Sequence, residues 1–457
     1  MREVLFEQLH LVPSRLEHVH ARELNRMSIV LDQLPEAAKL VHADLLRRKS
    51  RSVDPYLGRQ GMTAEQVLRA CVVKQMCGYS YEELAFHLAD SATYRSFCRI
   101  GIADPSPSRS RLQKNIKRVS AETWDAINRR VVLFAAAKGI ESGKKIRTDC
   151  TVVDANIHAP TDSSLLWDGV RVLVRLMSDA RETFGLSFSS RRKRAKRRAM
   201  AILNARSKED RVPMYRDLLK VTSETIDSAE RVAARLEEVE PIDLAHVLRA
   251  DALARKLRHF VGLTRRVVSQ TERRVLRGES VAAGEKIVSI FEPHADIIIK
   301  DHRETLYGHK ICLTTGATGI VTDVVIHRGN PADATLAVTM VERQRDLYGV
   351  APKQVAFDGA FTSKDNLAAI KALGVEDVAF SKGRGLSVPE MVKSSWMYKC
   401  LRNFRAGIEG VISFLKRSFG LDRCTWTGLS SFKAYVSGSI LACNLLLVAR
   451  HLLASSA

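Results

Sequence analysis

Cysteine is scarce in this sequence, with 8 among 457 residues. No two cysteines stand in a C-x-x-C pair, and none lies beside a pair of histidines at the spacing of zinc ligands. This usage excludes a disulfide scaffold and indicates a reducing compartment without structural zinc. The first residues also lack the basic start, apolar run and small-residue cleavage site of a secretory signal, so we expect a cytoplasmic protein.

Long apolar runs are nearly absent. Only residues 437–454 approach the length of a membrane span, and Asn444, Arg450 and His451 interrupt that run. A charged or amide side chain in the middle of a bilayer is costly, so we expect a buried helix here and no membrane partner.

Several common catalytic motifs are missing as well. There is no G-x-x-x-x-G-K-[ST], no G-x-G-x-x-G that opens a helix after a strand, no H-E-x-x-H and no G-x-S-x-G. Enzymes that use ATP, a dinucleotide, a protease zinc ion or a serine nucleophile therefore lose support.

Positive charge is abundant. Lys and Arg number 72 against 51 Asp and Glu, a net charge of +21, which attracts polyanions and makes nucleic acid the leading partner. The densest cluster spans 191–198 and contains seven basic residues. These are Arg191, Arg192, Lys193, Arg194, Lys196, Arg197 and Arg198. We expect this cluster to bind phosphates, the alternative being a solvated loop without a specific role.

The N-terminal third reads as short helices. Thr63 with Gln66, and Ser80 with Glu83, match the capping box that begins a helix, and Gly78 lies between the two predicted helices. A basic helix then follows the Pro-rich turn at 105–108. Its candidate DNA contacts are Arg109, Arg111 and Lys114. We expect a DNA-binding module similar to a helix-turn-helix, the alternative being a plain helical bundle with a basic face.

The rest of the chain predicts a mixed α/β sheet. β-branched residues favour a first strand at 144–154, a polar helical block follows, and strand-like runs then alternate with helices. The later predicted strands are 286–291, 295–300, 310–314, 321–327, 354–358 and 378–381. We therefore expect a helical N-terminal domain at 1–140, an α/β domain at 141–163 plus 286–457, and a basic helical insertion at 164–285 after the first strand.

Three acidic residues occupy suggestive positions. Asp149 lies within the first strand, and Asp358 closes an apolar strand directly before Gly359. Glu409 lies on a predicted helix whose polar edge also carries Arg402, Arg405 and Lys416. The two glycines that flank Glu409 leave room for a bulky polyanion. Taken singly, such acids are more often turn formers, helix caps or members of a surface ion pair.

These segments resemble the DDE transposases of bacterial insertion sequences, which have an RNase H-like fold. One branch of that family carries Tyr, two residues, Arg, three residues, Glu, six residues and Lys. Arg405, Glu409 and Lys416 match this spacing, whereas Arg402 stands at the Tyr position. The resemblance implies that Asp149, Asp358 and Glu409 form a catalytic, metal-binding triad, with Arg405 and Lys416 as phosphate contacts.

The resemblance also implies cofactors and partners. We expect two Mg²⁺ ions, for which Mn²⁺ can substitute, and double-stranded DNA at the ends of the element and at its target. We further expect a homo-oligomer on DNA, associated with the nucleoid. The expected reaction is cut-and-paste transposition by cleavage and joining of phosphodiester bonds.

Two alternative functions and the identity of the first acid stay open at this point. The chain could be an inactive DNA-binding protein derived from a transposase, or an RNase H-like nuclease that does not join strands. Asp154, Asp162 and Asp168 also compete with Asp149 for the role of the first acid. Asp154 is disfavoured because, five residues further along a strand, its side chain points to the opposite face.

Overall fold

The structure is a computed structural model, and it describes residues 18–47, 61–101, 103–240, 242–300 and 304–455. The chain divides into two compact units. The first unit combines Met1–Asp154 with His309–Ala457, and the second unit is Ala155–Gly308. Three domains with boundaries at 140, 163 and 285 stay a prediction.

The described N-terminal part of the first unit is helical, as predicted. Its helices are α1 (Val19–Asp32), α2 (Pro35–Leu46), α3 (Ala64–Cys77), α4 (Tyr81–Asp90), α5 (Ala92–Phe97), α6 (Arg109–Ile116) and α7 (Ala121–Ala137). Both predicted capping boxes form at the starts of α3 and α4. Gly78 adopts φ +68°, a left-handed conformation that suits glycine, and so ends α3.

The second unit is largely helical. It contains α8 (Asp162–Phe184), α9 (Arg192–Asn204), α10 (Lys208–Glu237), α11 (Leu244–Thr271) and a short strand, β2 (Asp296–Lys300). A π-helical turn at Glu272–Leu276 continues α11, and a 3₁₀ turn lies at Ala283–Glu285. All residues of the basic cluster at 191–198 except Arg191, which directly precedes α9, therefore lie on a helix rather than in a loop.

The sheet is mixed, as expected for an RNase H-like fold. Its strands are β1 (Lys145–Asp154), β2, β3 (Glu304–Thr315), β4 (Val321–Ile326), β5 (Gln354–Phe357) and β6 (Asp377–Phe380). The strand order is β2-β3-β1-β5-β6, and β4 also pairs with β3. β1 and β6 both run parallel to β5, whereas β4 runs antiparallel to β3. The α/β fold class with a preceding helical region is confirmed.

Helices cover the sheet and complete the first unit. These are α12 (Ala337–Tyr348), α13 (Lys364–Ala372), α14 (Val388–Met391), α15 (Ser395–Ser418) and α16 (Leu429–Ala454), with 3₁₀ turns at Asp333–Thr335 and Gly359–Phe361. Within the described residues, α16 alone is long and apolar enough to cross a membrane, and 72% of its most apolar window is buried. This burial matches the core helix expected at 437–454.

One predicted strand does not form. Residues 286–291 contain no strand, because Ile287 and Ile290 pack into the helical core of the second unit. The amide side chain of Gln270 accepts a hydrogen bond from Ile287 N at 2.9 Å and donates one to Ile287 O at 3.2 Å. A side chain thus supplies the partners that a neighbouring strand would otherwise provide.

Asn444 connects α16 to the sheet. Its amide accepts a hydrogen bond from Val321 N at 2.9 Å, and donates to Val321 O at 2.7 Å and to Asn128 Oδ1 at 2.8 Å. Asn444 is fully buried. Water therefore does not replace its hydrogen bonds to these backbone groups when the side chain is removed. The side chain that interrupts the apolar run thus satisfies the backbone where β4 begins.

We expect Asn444→Ala to lower the free energy of unfolding by on the order of 3 kcal/mol, because it leaves buried donors and acceptors unsatisfied. Urea unfolding at neutral pH measures the change. Ser439→Ala is the matched control, since the Ser439 hydroxyl is buried on the same helix without a hydrogen-bond partner among the described residues. Equal losses in both variants would contradict the role of the Asn444 hydrogen bonds.

Candidate active site

Two of the predicted acids lie side by side on neighbouring parallel strands, Asp149 within β1 and Asp358 directly after the end of β5. The register of β1 and β5 pairs Thr148 with Phe357, and Asp149 and Asp358 each follow that pair. The carboxyl end of a parallel sheet is where ligands bind in open α/β folds. The sheet itself therefore brings together two residues that are far apart in sequence.

Glu409 and Arg405 reach this edge from α15. The helix buries Leu401, Ile408 and Leu415, which leaves its polar edge exposed. Arg147 on β1 anchors it, because Arg147 Nη1 donates to Phe404 O at 2.7 Å. Strand β1 therefore carries both Asp149 and the side chain that fixes the helix of Glu409.

The glycines beside Glu409 differ in their surroundings. A Cβ atom at Gly407 would lie 2.1 Å from Arg147 Nη1, so glycine permits the close approach of this guanidinium to the helix. A Cβ atom at Gly410 would meet nothing within 4 Å. The expectation that both glycines leave room for a polyanion is thus wrong for Gly407, because Arg147 fills that space.

All three acids contact the guanidinium of Arg405. Arg405 Nη2 lies 3.1 Å from Asp149 Oδ2 and 3.3 Å from Asp358 Oδ1. Arg405 Nη1 lies 2.9 Å from Glu409 Oε1. Two neighbouring strands and one helix thus bring acids to a single cation, whose side chain is only 17% exposed.

The three carboxylates differ in exposure and support. The side chains of Asp149, Asp358 and Glu409 are 16%, 37% and 64% exposed. Asp149 Oδ1 accepts a hydrogen bond from Cys150 N at 2.8 Å. The exposure of the carboxylates to solvent therefore increases from Asp149 on the sheet to Glu409 on the helix.

Asp358 is held in its charged form. Burial raises its pKa, but the hydroxyl of Ser381, the backbone amides of Gly359 and Ala360, and the Arg405 charge together bring the pKa below the ordinary value. Ser381 Oγ donates to Asp358 Oδ1 at 2.8 Å. Sequence reasoning missed Ser381, although its position directly after β6, the parallel neighbour of β5, was a usable signal.

The donor set suits a hard divalent cation. The groups that converge are carboxylate oxygens, which Mg²⁺ and Mn²⁺ prefer, and a positive group already lies between them. Among the described residues, however, no three His, Cys, Asp or Glu side chains cluster closely enough to hold one ion. The carboxylates surround the guanidinium instead of one another, so metal binding requires Arg405 to move.

Competing acids have other partners. Asp154 ends β1, where its backbone exchanges hydrogen bonds with Asp422 and Cys424. Asp162 and Asp168 belong to the second unit, where they pair with Arg274 and Arg171. Asp149 is the acid of this group that forms an ion pair with Arg405, which favours Asp149 as the first acid.

The other predicted site residues on α15 do not join the cluster. Arg402 is exposed and makes no ion pair with a described residue. Lys416 pairs with Asp422 at 3.6 Å, two helical turns beyond Glu409. Lys416 therefore lies outside the immediate acidic cluster, and its contact with phosphate stays a prediction.

The remaining candidate DNA contacts lie on α6 and α9. On α6, Arg109 pairs with Glu82 at 3.3 Å, and Lys114 is exposed. Directly before α9, Arg191 pairs with Glu224, and on α9 both Arg194 and Arg198 pair with Asp217. Four basic residues of the cluster are exposed without an ion pair to a described residue, namely Arg192, Lys193, Lys196 and Arg197.

Comparison with known families decides the identity. Residues 292–445 match the family model of the transposase DDE domain, and residues 22–118 match a second model, a transposase domain of the DUF772 type. Together the matches cover more than half of the chain. The chain belongs to the DDE transposases of insertion sequences. No curated protein and no solved structure matches it.

The family match and the geometry are complementary. The segment that matches the DDE domain contains Asp358, Arg405, Glu409 and Lys416, whereas Asp149 lies outside both matched segments. Within the transposase, Asp149 is linked to the others by the β1–β5 register and by its contact with Arg405.

We expect Arg405→Gln to destabilise the transposase by on the order of 2 kcal/mol at pH 7 in metal-free buffer, because three carboxylates lose their shared cation. Stability that comes from a lowered carboxyl pKa is present above the ordinary pKa and is lost on acidification through the folded pKa. The deficit should therefore shrink below about pH 4, near the ordinary aspartate pKa of 3.8.

Urea unfolding between pH 3 and pH 8 measures this difference. Arg402→Gln is the matched control, since it removes the same charge from the same helix without breaking an ion pair to a described residue, and should change stability by under about 0.5 kcal/mol. A deficit in Arg405→Gln that is equal at all pH values would contradict the electrostatic account.

Proposed function

We propose that this chain is an active, metal-dependent transposase that cuts and joins phosphodiester bonds at the ends of its insertion sequence. The observation that supports this proposal most directly is that Asp149, Asp358 and Glu409 all contact Arg405. Acidic groups from distant segments that converge on one cation at the edge of a sheet are typical of functional sites. We assign Asp149, Asp358 and Glu409 as catalytic residues and metal ligands.

The proposed reaction has two phosphoryl transfers. In the first, a water oxygen attacks the phosphorus, the P–O3′ bond breaks, and a free 3′-hydroxyl results. In the second, that hydroxyl attacks a phosphodiester of the target, forms a new P–O bond and releases a target 3′-hydroxyl. One bond replaces another, so joining needs no ATP.

The residues of this site have different proposed roles in the reaction. Asp149, Asp358 and Glu409 would hold the divalent ions, which would supply electrostatic stabilisation of the phosphoryl transfer when bound. Asp358, kept ionised by Ser381 and the backbone amides, is ready to bind a cation at neutral pH. Arg405 and Lys416 neutralise charge that develops on the phosphate.

Arg405 has a second proposed role. In the free protein, its guanidinium keeps the three carboxylates from repelling one another. Its Nε is buried without a hydrogen-bond partner among the described residues. One donor of the guanidinium is therefore unused in this position. We infer that Arg405 turns from the acids to the scissile phosphate when cations replace it.

Family resemblance supports the remaining assignments. We place the chain in the branch with the Tyr-Arg-Glu-Lys signature, with Arg402 in the Tyr position. We propose that the protein binds double-stranded DNA at the ends and the target as a homo-oligomer, in the cytoplasm with the nucleoid. The helices around α6, with Arg109, Arg111 and Lys114, are proposed to contact the end DNA.

We expect Asp149→Asn, Asp358→Asn and Glu409→Gln each to reduce cleavage of labelled end DNA in Mg²⁺ by at least about 10³-fold, because each removes a cation ligand. Binding of the same DNA should change less than about three-fold. Asp154→Asn, on the same strand as Asp149, is the control and should cleave normally.

The products separate the proposal from its rivals. Recombinant joints support a transposase, whereas free ends alone indicate an RNase H-like nuclease. Binding without nicking at every divalent ion tried would indicate an inactive DNA-binding protein. Retained cleavage in one of the three variants would remove that residue from the triad.

The basic cluster on α9 gives a separate test of DNA binding. We expect replacement of Arg192, Lys193, Lys196 and Arg197 by Gln to weaken DNA binding and to flatten its dependence on salt by about 0.9 for each phosphate that the helix no longer neutralises. Arg194→Gln with Arg198→Gln is the control pair, because Asp217 already neutralises part of that charge.

Fluorescence anisotropy between 50 and 300 mM salt measures both effects. The fourfold variant should lose more affinity per charge than the control pair. An unchanged salt slope in the fourfold variant would show that α9 is a solvated surface helix without a role in binding.

A further inference from the structure

The segment between β4 and α12 contacts the surroundings of both aspartates of the proposed triad. It contains the 3₁₀ turn Asp333–Thr335. Asp333 contacts the residue that follows Asp149, and Ala334 is connected to the turn that begins after Asp358. Two adjacent residues thus link two acids that lie far apart in sequence, and no role assigned above uses them.

Lys310 on β3 holds this turn in place. Its ammonium lies 2.5 Å from Asp333 Oδ1 and donates a hydrogen bond to Pro331 O at 2.7 Å. The side chains of Lys310 and Asp333 are only 11% and 19% exposed. An ion pair with so little access to water is costly to break, because the remaining partner is left as an uncompensated charge. The turn is therefore fixed to β3, the neighbour of β1 in the sheet.

Cys150 connects Asp333 to the first aspartate. The Asp333 carboxylate accepts a hydrogen bond from the Cys150 thiol, and Cys150 N donates to Asp149 Oδ1 at 2.8 Å. Side chains alternate along a strand, so the thiol points to the face of the sheet opposite to Asp149. Asp333 thus supports β1 at Asp149 without occupying the face on which the acids meet.

Asn366 on α13 connects Ala334 to the second aspartate. Its Nδ2 donates to Ala334 O at 2.7 Å and to Phe361 O at 2.9 Å. Phe361 N in turn donates to Asp358 O at 3.1 Å within the 3₁₀ turn Gly359–Phe361. The first two amides of that turn donate to the Asp358 carboxylate. One amide side chain thus fixes the turn whose backbone holds Asp358.

These contacts are separate from those of Arg405. Arg405 pairs with the three acids, whereas Lys310 pairs with Asp333, and Asn366 donates to two backbone carbonyls. In the proposed reaction Arg405 leaves the acids when cations bind, so the acids lose the contact that they share in the free protein. The groups of a functional site need to stay within about 0.5 Å of their productive positions. Contacts that do not involve Arg405 must therefore keep the aspartates in place.

We propose that Lys310, Asp333 and Asn366 form a positioning network that keeps Asp149 and Asp358 at the separation that the cations require. The network acts through the backbone and through Cys150, so its members are positioning residues rather than catalytic ones. The inference rests on the proposed function and adds to it the residues that preserve the site when Arg405 moves. Residues that orient metal ligands typically change metal affinity or activity by about 10–100-fold when they are replaced.

We expect Asn366→Ala to raise the dissociation constant for Mn²⁺ by about ten-fold or more, measured by electron paramagnetic resonance on the full chain without DNA. Cleavage of end DNA should fall by a similar factor at limiting Mg²⁺ and recover in part at saturating Mg²⁺, because the three carboxylates remain. Asn366→Asp keeps the size of the side chain but has no donor at neutral pH, so it should lose as much affinity.

Gln354→Ala is the matched control. Gln354 lies at the start of β5, at the opposite end of the strand from Asp358, and its Nε2 donates to Asp377 Oδ2 at 3.0 Å and to Met397 Sδ at 3.2 Å. Its replacement also removes an amide with two hydrogen bonds from the same sheet. We expect it to lower the Tm about as much as Asn366→Ala does, but to change the Mn²⁺ affinity by less than about two-fold.

Hydrogen exchange of the metal-free protein gives a readout that does not depend on activity. Asn366→Ala should speed exchange in the peptide that covers residues 359–362 by about ten-fold, because this turn loses its link to Ala334. Exchange in α7 should stay unchanged. A purely structural role of Asn366 would instead speed exchange throughout the first unit.

Asp333→Asn tests the other part of the network and serves if Asn366→Ala does not fold. It removes the charge that holds Lys310, and should weaken Mn²⁺ binding by about ten-fold as well. Unchanged Mn²⁺ affinity in the folded variants would overturn the inference, and so would an equal loss of affinity in Gln354→Ala.

The inference and the proposed function fail in different ways. If the wild type binds Mn²⁺ and cleaves end DNA, and the variants do so equally well, only the positioning network is wrong. If the wild type neither binds Mn²⁺ nor cleaves end DNA, the proposed function is wrong and the inference falls with it.

Discussion

Three carboxylates at one edge of a sheet repel one another unless a cation lies between them. Arg405 supplies that cation and contacts Asp149, Asp358 and Glu409 at 2.9–3.3 Å. The rest of the first unit can be understood as the support for this contact. The parallel pairing of β1 with β5 sets the two aspartates side by side, and Arg147 fixes the backbone of α15 beside them.

The same contact links stability to function. A guanidinium in the centre stabilises the acidic cluster in the free protein, and it occupies the space between the carboxylates where the proposed cations would bind. The proposed activity therefore depends on an exchange of one kind of positive charge for another, with the phosphate as the new partner of Arg405. The bonds that Ser381 and the backbone give Asp358 persist through that exchange, because they do not involve Arg405.

The positive charge of the basic cluster at 191–198 is partly neutralised. Acids of α10 neutralise three of the seven basic residues, which holds the helix in place and leaves the other four exposed for phosphates. This arrangement supports the proposal that the four exposed residues contact DNA phosphates.

Much of the fold could be predicted from local pattern. Capping boxes placed α3 and α4, and a β-branched run placed β1. A position within that strand indicated Asp149, and the end of an apolar strand before a glycine indicated Asp358. Contacts between distant segments could not be read in this way. Gln270 replaces a strand partner at Ile287, Arg147 fills the space beside Gly407, and Ser381 supports Asp358 from the next strand. Each depends on tertiary packing that no single segment encodes.

The most direct test of the central claim is the number of Mn²⁺ ions bound per chain, measured by electron paramagnetic resonance in the presence of end DNA. The account predicts about two ions for the wild type, and fewer when Asp149, Asp358 and Glu409 are replaced together by their amides. Equal Mn²⁺ binding by the wild type and the triple variant would show that the three carboxylates do not form a metal centre.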